Sequence, residues 1–170
     1  MDWKDLASTA VYTDMANENK SIWERVDGVD VEFIGAFLTA HLSLEKYITD
    51  YLRLRYPSLS WEDAKLTFSQ KIVLIQHETA KAPYNEIYLR IKDFNSIRNK
   101  ISHQLNYQIT DKEKSKFVDF YIKITKESKA KPNLDIDNIV DLLDFFLIIT
   151  KSYFASAISY YHYNKTGRKQ

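Results

Sequence analysis

Residues 84–103 read YNEIYLRIKDFNSIRNKISH. At about 100° per residue, Ile87, Ile91, Phe94, Ile101 and Leu105 fall within about 40° of one direction. That is the apolar stripe of an amphipathic helix, and no two-residue alternation competes with it. The same three-and-four step recurs outward in both directions. Ile34, Phe37, Leu38, His41, Leu44, Glu45, Ile48, Tyr51 and Leu52 mark a preceding helix that ends near Pro57. Ser60, followed by Glu62 and Asp63, is a candidate N-cap for a second helix through about His77. The quoted helix starts behind Pro83, and Thr110-x-x-Glu113 is a capping-box pattern opening a fourth, with Phe117, Phe120, Tyr121 and Ile124. Lys126 to Asn133 reads as a polar linker, after which Asp135 or Asp137 caps a long helix from about Ile136 to Tyr163. Residues 1–29 are expected to add one or two short helices stopped at Gly28. The predicted fold is an all-α bundle of about five main helices. It forms one domain over 1–170, with the bundle at 30–163 and a tail at 164–170.

Composition narrows the chemistry. The 170 residues contain no Cys, which excludes disulfide frameworks, cysteine nucleophiles and thiolate metal sites. Only 3 Gly and 3 Pro leave little turn material for sandwiches, barrels or glycine-rich phosphate loops. A net charge of +1 argues against a globally basic nucleic-acid binder, but it conceals a division. Residues 1–50 hold 10 acidic and 4 basic side chains, whereas residues 81–131 hold 12 basic and 6 acidic. The N-terminus, Met1-Asp2-Trp3-Lys4-Asp5, lacks the basic start of a secretory signal. The most apolar run, Leu142 to Ile149, is broken by Asp144 and falls short of the ~20 residues that span a bilayer. A cytoplasmic chain without membrane contact is expected. The 12 Tyr, 9 Phe and 3 Trp mostly fall on helical stripes, where core packing accounts for them despite a mean hydropathy of −0.41.

Arg98 breaks the pattern of the quoted helix. It lies about 20° from the centre of the apolar stripe, where a guanidinium must snorkel or find an anion. Beside it, Ser102, Asn95, Asn106, Asn99 and His103 spread over one flank that carries no charge except Lys92. Uncharged hydrogen-bonding groups next to an Arg and a His suit a cleft or a subunit contact; a fraying helix end is the bland alternative.

Ile97-Arg98-Asn99-Lys100-Ile101-Ser102-His103 resembles the Arg-x4-6-His motif of the HEPN superfamily, in its four-residue form with a polar residue after the Arg. His41-Leu42-Ser43-Leu44-Glu45-Lys46 is similar to the polar-bearing first core helix of several such families. The resemblance covers residues 30–163 and is carried by about six of them. It implies a homodimeric endoribonuclease that needs no metal or other cofactor, serving in toxin–antitoxin systems or antiphage defence, with an antitoxin or defence-complex protein as partner. It further implies that the ribose 2′-hydroxyl of RNA is the nucleophile and that a 2′,3′-cyclic phosphate is the product. His103 would be the general acid or base, Arg98 would hold the scissile phosphate, and Asn99 would orient the phosphate or His103. Some family members carry a Tyr two residues after the motif His; here that position is Leu105, a departure that bears on how a partner would control the chain. The other reading of the same residues is a noncatalytic HEPN-like module that binds protein or nucleotide; a plain helical dimerisation domain is a third.

Further residues attach to this motif. Glu45 and His41 continue the stripe of the first helix as supporting groups, with Glu45 reaching either Arg98 or, at a helix edge, Lys46, Lys71 or water. Their i,i+4 spacing alone does not make a metal site, and none is expected. Tyr107 is the aromatic assigned to a base flanking the scissile bond. Lys100 and Lys112 are assigned to RNA phosphates, with Lys114, Lys116, Lys123 and Lys126 as steering charge. Arg98 and His103 lie about 140° apart on a regular helix, so a helix boundary is predicted close to His103, unless Arg98 reaches around or a second copy completes the cleft.

Overall fold

The computed structural model describes residues 10–16, 20–25, 29–76, 84–104, 106–126 and 132–166. Among them are six helices: α1 (Val31–Arg55), α2 (Trp61–Ala64), α3 (Phe68–Gln76), α4 (Ile87–His103), α5 (Asp111–Thr125) and α6 (Ile139–Thr166). A 3-10 turn, Tyr84–Glu86, leads into α4. The fold is an all-α bundle, with a two-stranded hairpin ahead of it in the chain.

That hairpin corrects the expectation of short N-terminal helices. β1 (Ala10–Ala16) pairs antiparallel with β2 (Lys20–Arg25), Tyr12 opposite Trp23 and Asp14 opposite Ile22, so that the ladder skips Thr13 as a bulge does. Val11-Tyr12-Thr13 and Ile22-Trp23 are β-branched and aromatic, which outweighs a weak helical pattern. The stop expected at Gly28 lies outside the described residues.

α1 is capped by Asp30, whose carboxylate accepts from the Phe33 N–H at 2.9 Å. It packs on α3, α4 and α6; α4 also packs on α3 and α5, and α5 on α6. The stripe read from the sequence is the core face of α4: Ile87, Ile91, Phe94 and Ile101 are buried, while Leu105 lies outside the described residues. Phe146 of α6 sits among Phe94, Phe117 and Phe120, with ring centroids 5.5, 5.4 and 5.7 Å away.

The single helix expected from Ser60 to His77 is two. Lys65 adopts a left-handed conformation (φ 41°) and ends α2, and Ser60 makes no side-chain cap bond to it. Thr67 and Gln70 then reciprocate as a second capping box, the Gln70 N–H on the Thr67 hydroxyl at 3.3 Å and the Thr67 N–H on Gln70 Oε1 at 2.8 Å. The box read at Thr110 and Glu113 is present and opens α5. α6 begins after Asn138, whose side chain accepts from the Val140 N–H at 2.9 Å, rather than after Asp135 or Asp137. Asp135 instead accepts from the Asp137 N–H, an Asx turn leading into the helix. At its other end α6 runs to Thr166, past the expected start of the tail.

α6 extends the apolar run. Its most apolar 18-residue window within Ile139–Asn164 has a mean hydropathy of 1.4, and by length and composition alone the helix could cross a membrane. Its apolar residues have another use, since Leu142, Leu143, Phe145, Phe146, Leu147 and Phe154 are buried in the bundle.

Candidate functional site

The predicted boundary is where α4 ends. His103 is its last residue, and the Gln104 N–H closes the final turn on the Lys100 carbonyl at 2.9 Å while Gln104 turns extended (φ −136°, ψ 100°). His103 is exposed, and its ring has no hydrogen-bond partner among the described residues. Asn99, Ser102 and Asn106 are exposed with it. The Ser102 hydroxyl donates to the Arg98 carbonyl at 2.8 Å, a bond that binds the last turn to itself.

Arg98 lies half-buried between this exposed flank and the core. Its Nη1 donates to Asn99 Oδ1 at 3.2 Å, while its Nε is buried without a hydrogen-bond partner. Among the described residues it makes no ion pair. The guanidinium thus has one neutral partner and spare donors. No bond joins Arg98 to His103, so one chain supplies both groups at one helix end without bringing them into contact.

His41 and Asn95 were placed on helix faces by the sequence, and the structure joins them. His41 is buried, its ring 4.3 Å from that of Phe68. Its Nε2 lies 3.2 Å from Asn95 Oδ1; an amide oxygen only accepts, so the ring donates. Asn95 passes the interaction on, its amide nitrogen donating to the Ser69 hydroxyl at 3.3 Å. Burial lowers the pKa of His41, outweighing the Asn95 bond, and the charge of Arg98 lowers it further against the opposing pull of Glu45. A buried neutral histidine results, near Arg98 but not open to solvent. Glu45 does not pair with Arg98: its Oε1 is 2.7 Å from Lys71 Nζ, joining α1 to α3.

Two of the residues assigned to RNA have internal partners. Lys100 Nζ lies 2.7 Å from Glu113 Oε1, and the Tyr107 hydroxyl donates to Glu113 Oε2 in a very short bond. Lys100 also sits over the Tyr107 ring, 5.4 Å from its centroid. Glu113 bonding raises the pKa of Lys100, and burial followed by Glu113 bonding raises that of Tyr107. Lys112 is exposed. Much of the remaining basic block is consumed locally, Lys114 on the Asp137 carbonyl at 2.7 Å, Lys116 on Asp93 at 2.5 Å and Lys123 on Glu86. Lys114, Lys116 and Lys123 thus each have a partner within the chain.

Among the described residues no group of three or more His, Asp or Glu is placed to hold a metal ion. A groove of about 740 Å³ between α1 and α6 is lined by Lys46, Tyr47, Arg53 and His162 among others, and a smaller one of about 370 Å³ by Tyr107, Gln108 and Ile109 with the starts of α1 and α6. Neither includes Arg98 or His103 in its lining. No protein-family model, curated protein or solved structure matches the chain.

Proposed function

We propose that the chain is a metal-independent endoribonuclease of HEPN type, acting as a homodimer in a toxin–antitoxin or antiphage system. The observation that carries this reading is the half-buried guanidinium of Arg98, without an ion pair among the described residues, at the helix end that presents an exposed His103. A cation left with spare donors beside a solvent-facing imidazole suits an RNA linkage, whose phosphate offers anionic oxygens to one and whose ribose 2′-hydroxyl offers a transferable proton to the other.

In the proposed reaction the ribose 2′-oxygen attacks phosphorus, the bond from phosphorus to the 5′-oxygen breaks, and a 2′,3′-cyclic phosphate forms. One His103 accepts the 2′-hydroxyl proton, and a proton returns to the departing 5′-oxygen. Arg98 holds the phosphate and offsets the charge that develops on it. Asn99 orients the guanidinium it already touches. The angular separation of Arg98 and His103 on α4 is met by a second copy, so that each cleft takes groups from both chains.

The test is RNA cleavage by purified protein in EDTA. Cleavage by wild type that Arg98→Ala and His103→Ala both abolish, with cyclic-phosphate ends on the product, is the expected result. Folded wild type without cleavage would sink the enzyme and leave a noncatalytic module that binds protein or nucleotide.

A further inference from the structure

His103 sits in the last turn of α4, where helical hydrogen bonding stops, and the chain on both sides of it is fastened to one carboxylate. Three residues before it, Lys100 Nζ donates to Glu113 Oε1 at 2.7 Å. Four residues after it, the Tyr107 hydroxyl donates to Glu113 Oε2. The Thr110 N–H and hydroxyl donate to that same Oε2 at 3.0 and 2.8 Å. The Thr110 bonds belong to the cap of α5, which asks nothing of Lys100 or Tyr107. Those two reach back across the turn that carries His103, and a Glu serving only as a cap has no need to be 9% exposed.

We infer that Glu113 is a positioning residue for His103, holding Lys100 before it and Tyr107 after it and so fixing where the imidazole points. The inference rests on the reading of His103 as the acid–base group; the clamp itself is a matter of geometry. An exposed imidazole on a terminal turn would otherwise follow the fraying of that turn. Proton transfer requires it within hydrogen-bond reach of one oxygen, a constraint that a loose turn cannot hold. Burial alone would raise the Glu113 carboxyl, but the bonds from Lys100, Tyr107 and Thr110 outweigh it and lower the pKa to about 2. The clamp therefore keeps its charge throughout the range in which an imidazole titrates. It also gives Lys100 and Tyr107 a role that does not require them to meet RNA.

The test compares wild type, Glu113→Gln, Tyr107→Phe and Arg98→Ala by two readouts. One is cleavage of RNA in EDTA, resolved into kcat and KM; the other is the NMR signal of the His103 ring followed through its titration. Gln keeps the capping box, so α5 retains its start. Expected for Glu113→Gln is a fall in kcat of about tenfold or more with KM nearly unchanged, and a shifted, broadened His103 signal. Tyr107→Phe should move both in the same direction by less. A purely structural Glu113 would lower Tm and leave kcat below that temperature, and the His103 signal, as in wild type; that result overturns the inference. Wild type that cleaves nothing removes the ribonuclease reading, and the His103 signal then decides alone, an unchanged signal in Glu113→Gln overturning the clamp. Should Glu113→Gln fail to fold, Tyr107→Phe carries the same comparison.

Discussion

The ring of His41 and the amide of Asn95 meet at 3.2 Å inside the bundle, tying α1 to α4 one turn ahead of Asn99. The pair sets a pH dependence. Burial keeps the folded pKa of His41 below its usual 6.5, so the folded ring is neutral where the unfolded ring begins to take a proton. Stability from this residue is complete above that value, falls as the pH drops below it, and levels off beneath the folded pKa. Urea midpoints should be lower at pH 5.5 than at pH 7.5 in wild type, and His41→Gln should flatten that difference while costing about 1–2 kcal/mol at the higher pH. The exposed His103 and His162 are common to both proteins, so an equal slope in the two would remove His41 as the cause.

Glu113 has the opposite sign. Its folded pKa of about 2 lies below its usual 4.5, so its contribution is full above the usual value and is lost as the pH falls through the folded one. Glu113→Ala should cost about 1–3 kcal/mol near neutrality, because it strips a cap and takes the acceptor from the Tyr107 hydroxyl. The gap between wild type and variant should close between pH 4.5 and about 2. Denaturation curves collected across that interval settle it; a gap that stays constant would mean that the carboxylate charge contributes nothing.

What could be read from the sequence follows the range of the interactions involved. The i, i+3, i+4 spacing of Ile87, Ile91 and Phe94 and the Thr110–Glu113 box act within a few residues, and they led to the correct helix, face and cap. The Thr67–Gln70 box has the same form and was there to be read; it marks the break that a continuous apolar pattern conceals. Asn138, three residues after Asp135, competed with two aspartates equally suited to a cap, and local chemistry did not rank them. In the candidate site, the helix end at His103 and the anomaly of Arg98 were visible because each is a departure from local pattern. The partners were not fixed by it. Lys71 stood beside Arg98 and Lys46 as a partner for Glu45, and Glu113 was not matched to Lys100; the pairs meet from 26 and 13 positions away, and only the packing of α1 on α3 and of α4 on α5 selects them.

Glu45 offers a direct check on that selection. With Lys71 12% and Glu45 27% exposed, their pair is partly shielded, and Glu45→Gln should cost about 1 kcal/mol. Because the carboxylate is engaged with Lys71 and not with Arg98, RNA cleavage by the variant should match wild type while Arg98→Ala is inactive. Loss of cleavage in Glu45→Gln as deep as in Arg98→Ala would transfer the carboxylate to the guanidinium.

Phe146 tests whether α6 owes its apolarity to the bundle. The helix is long and apolar enough to cross a bilayer, yet Phe146 is wholly buried among three other phenylalanine rings. Removing the ring leaves a cavity where α4, α5 and α6 meet, so Phe146→Ala should cost about 3–5 kcal/mol and lower Tm by roughly 10 °C or more. Ile148, two residues on and 55% exposed, has little packing to lose, and Ile148→Ala should stay within about 0.5 kcal/mol of wild type. Thermal melts of the two variants in detergent-free buffer measure the contrast. Equal, small effects would mean that the core does not depend on this face of α6, whereas a large effect at Phe146 alone places the helix at the centre of the bundle.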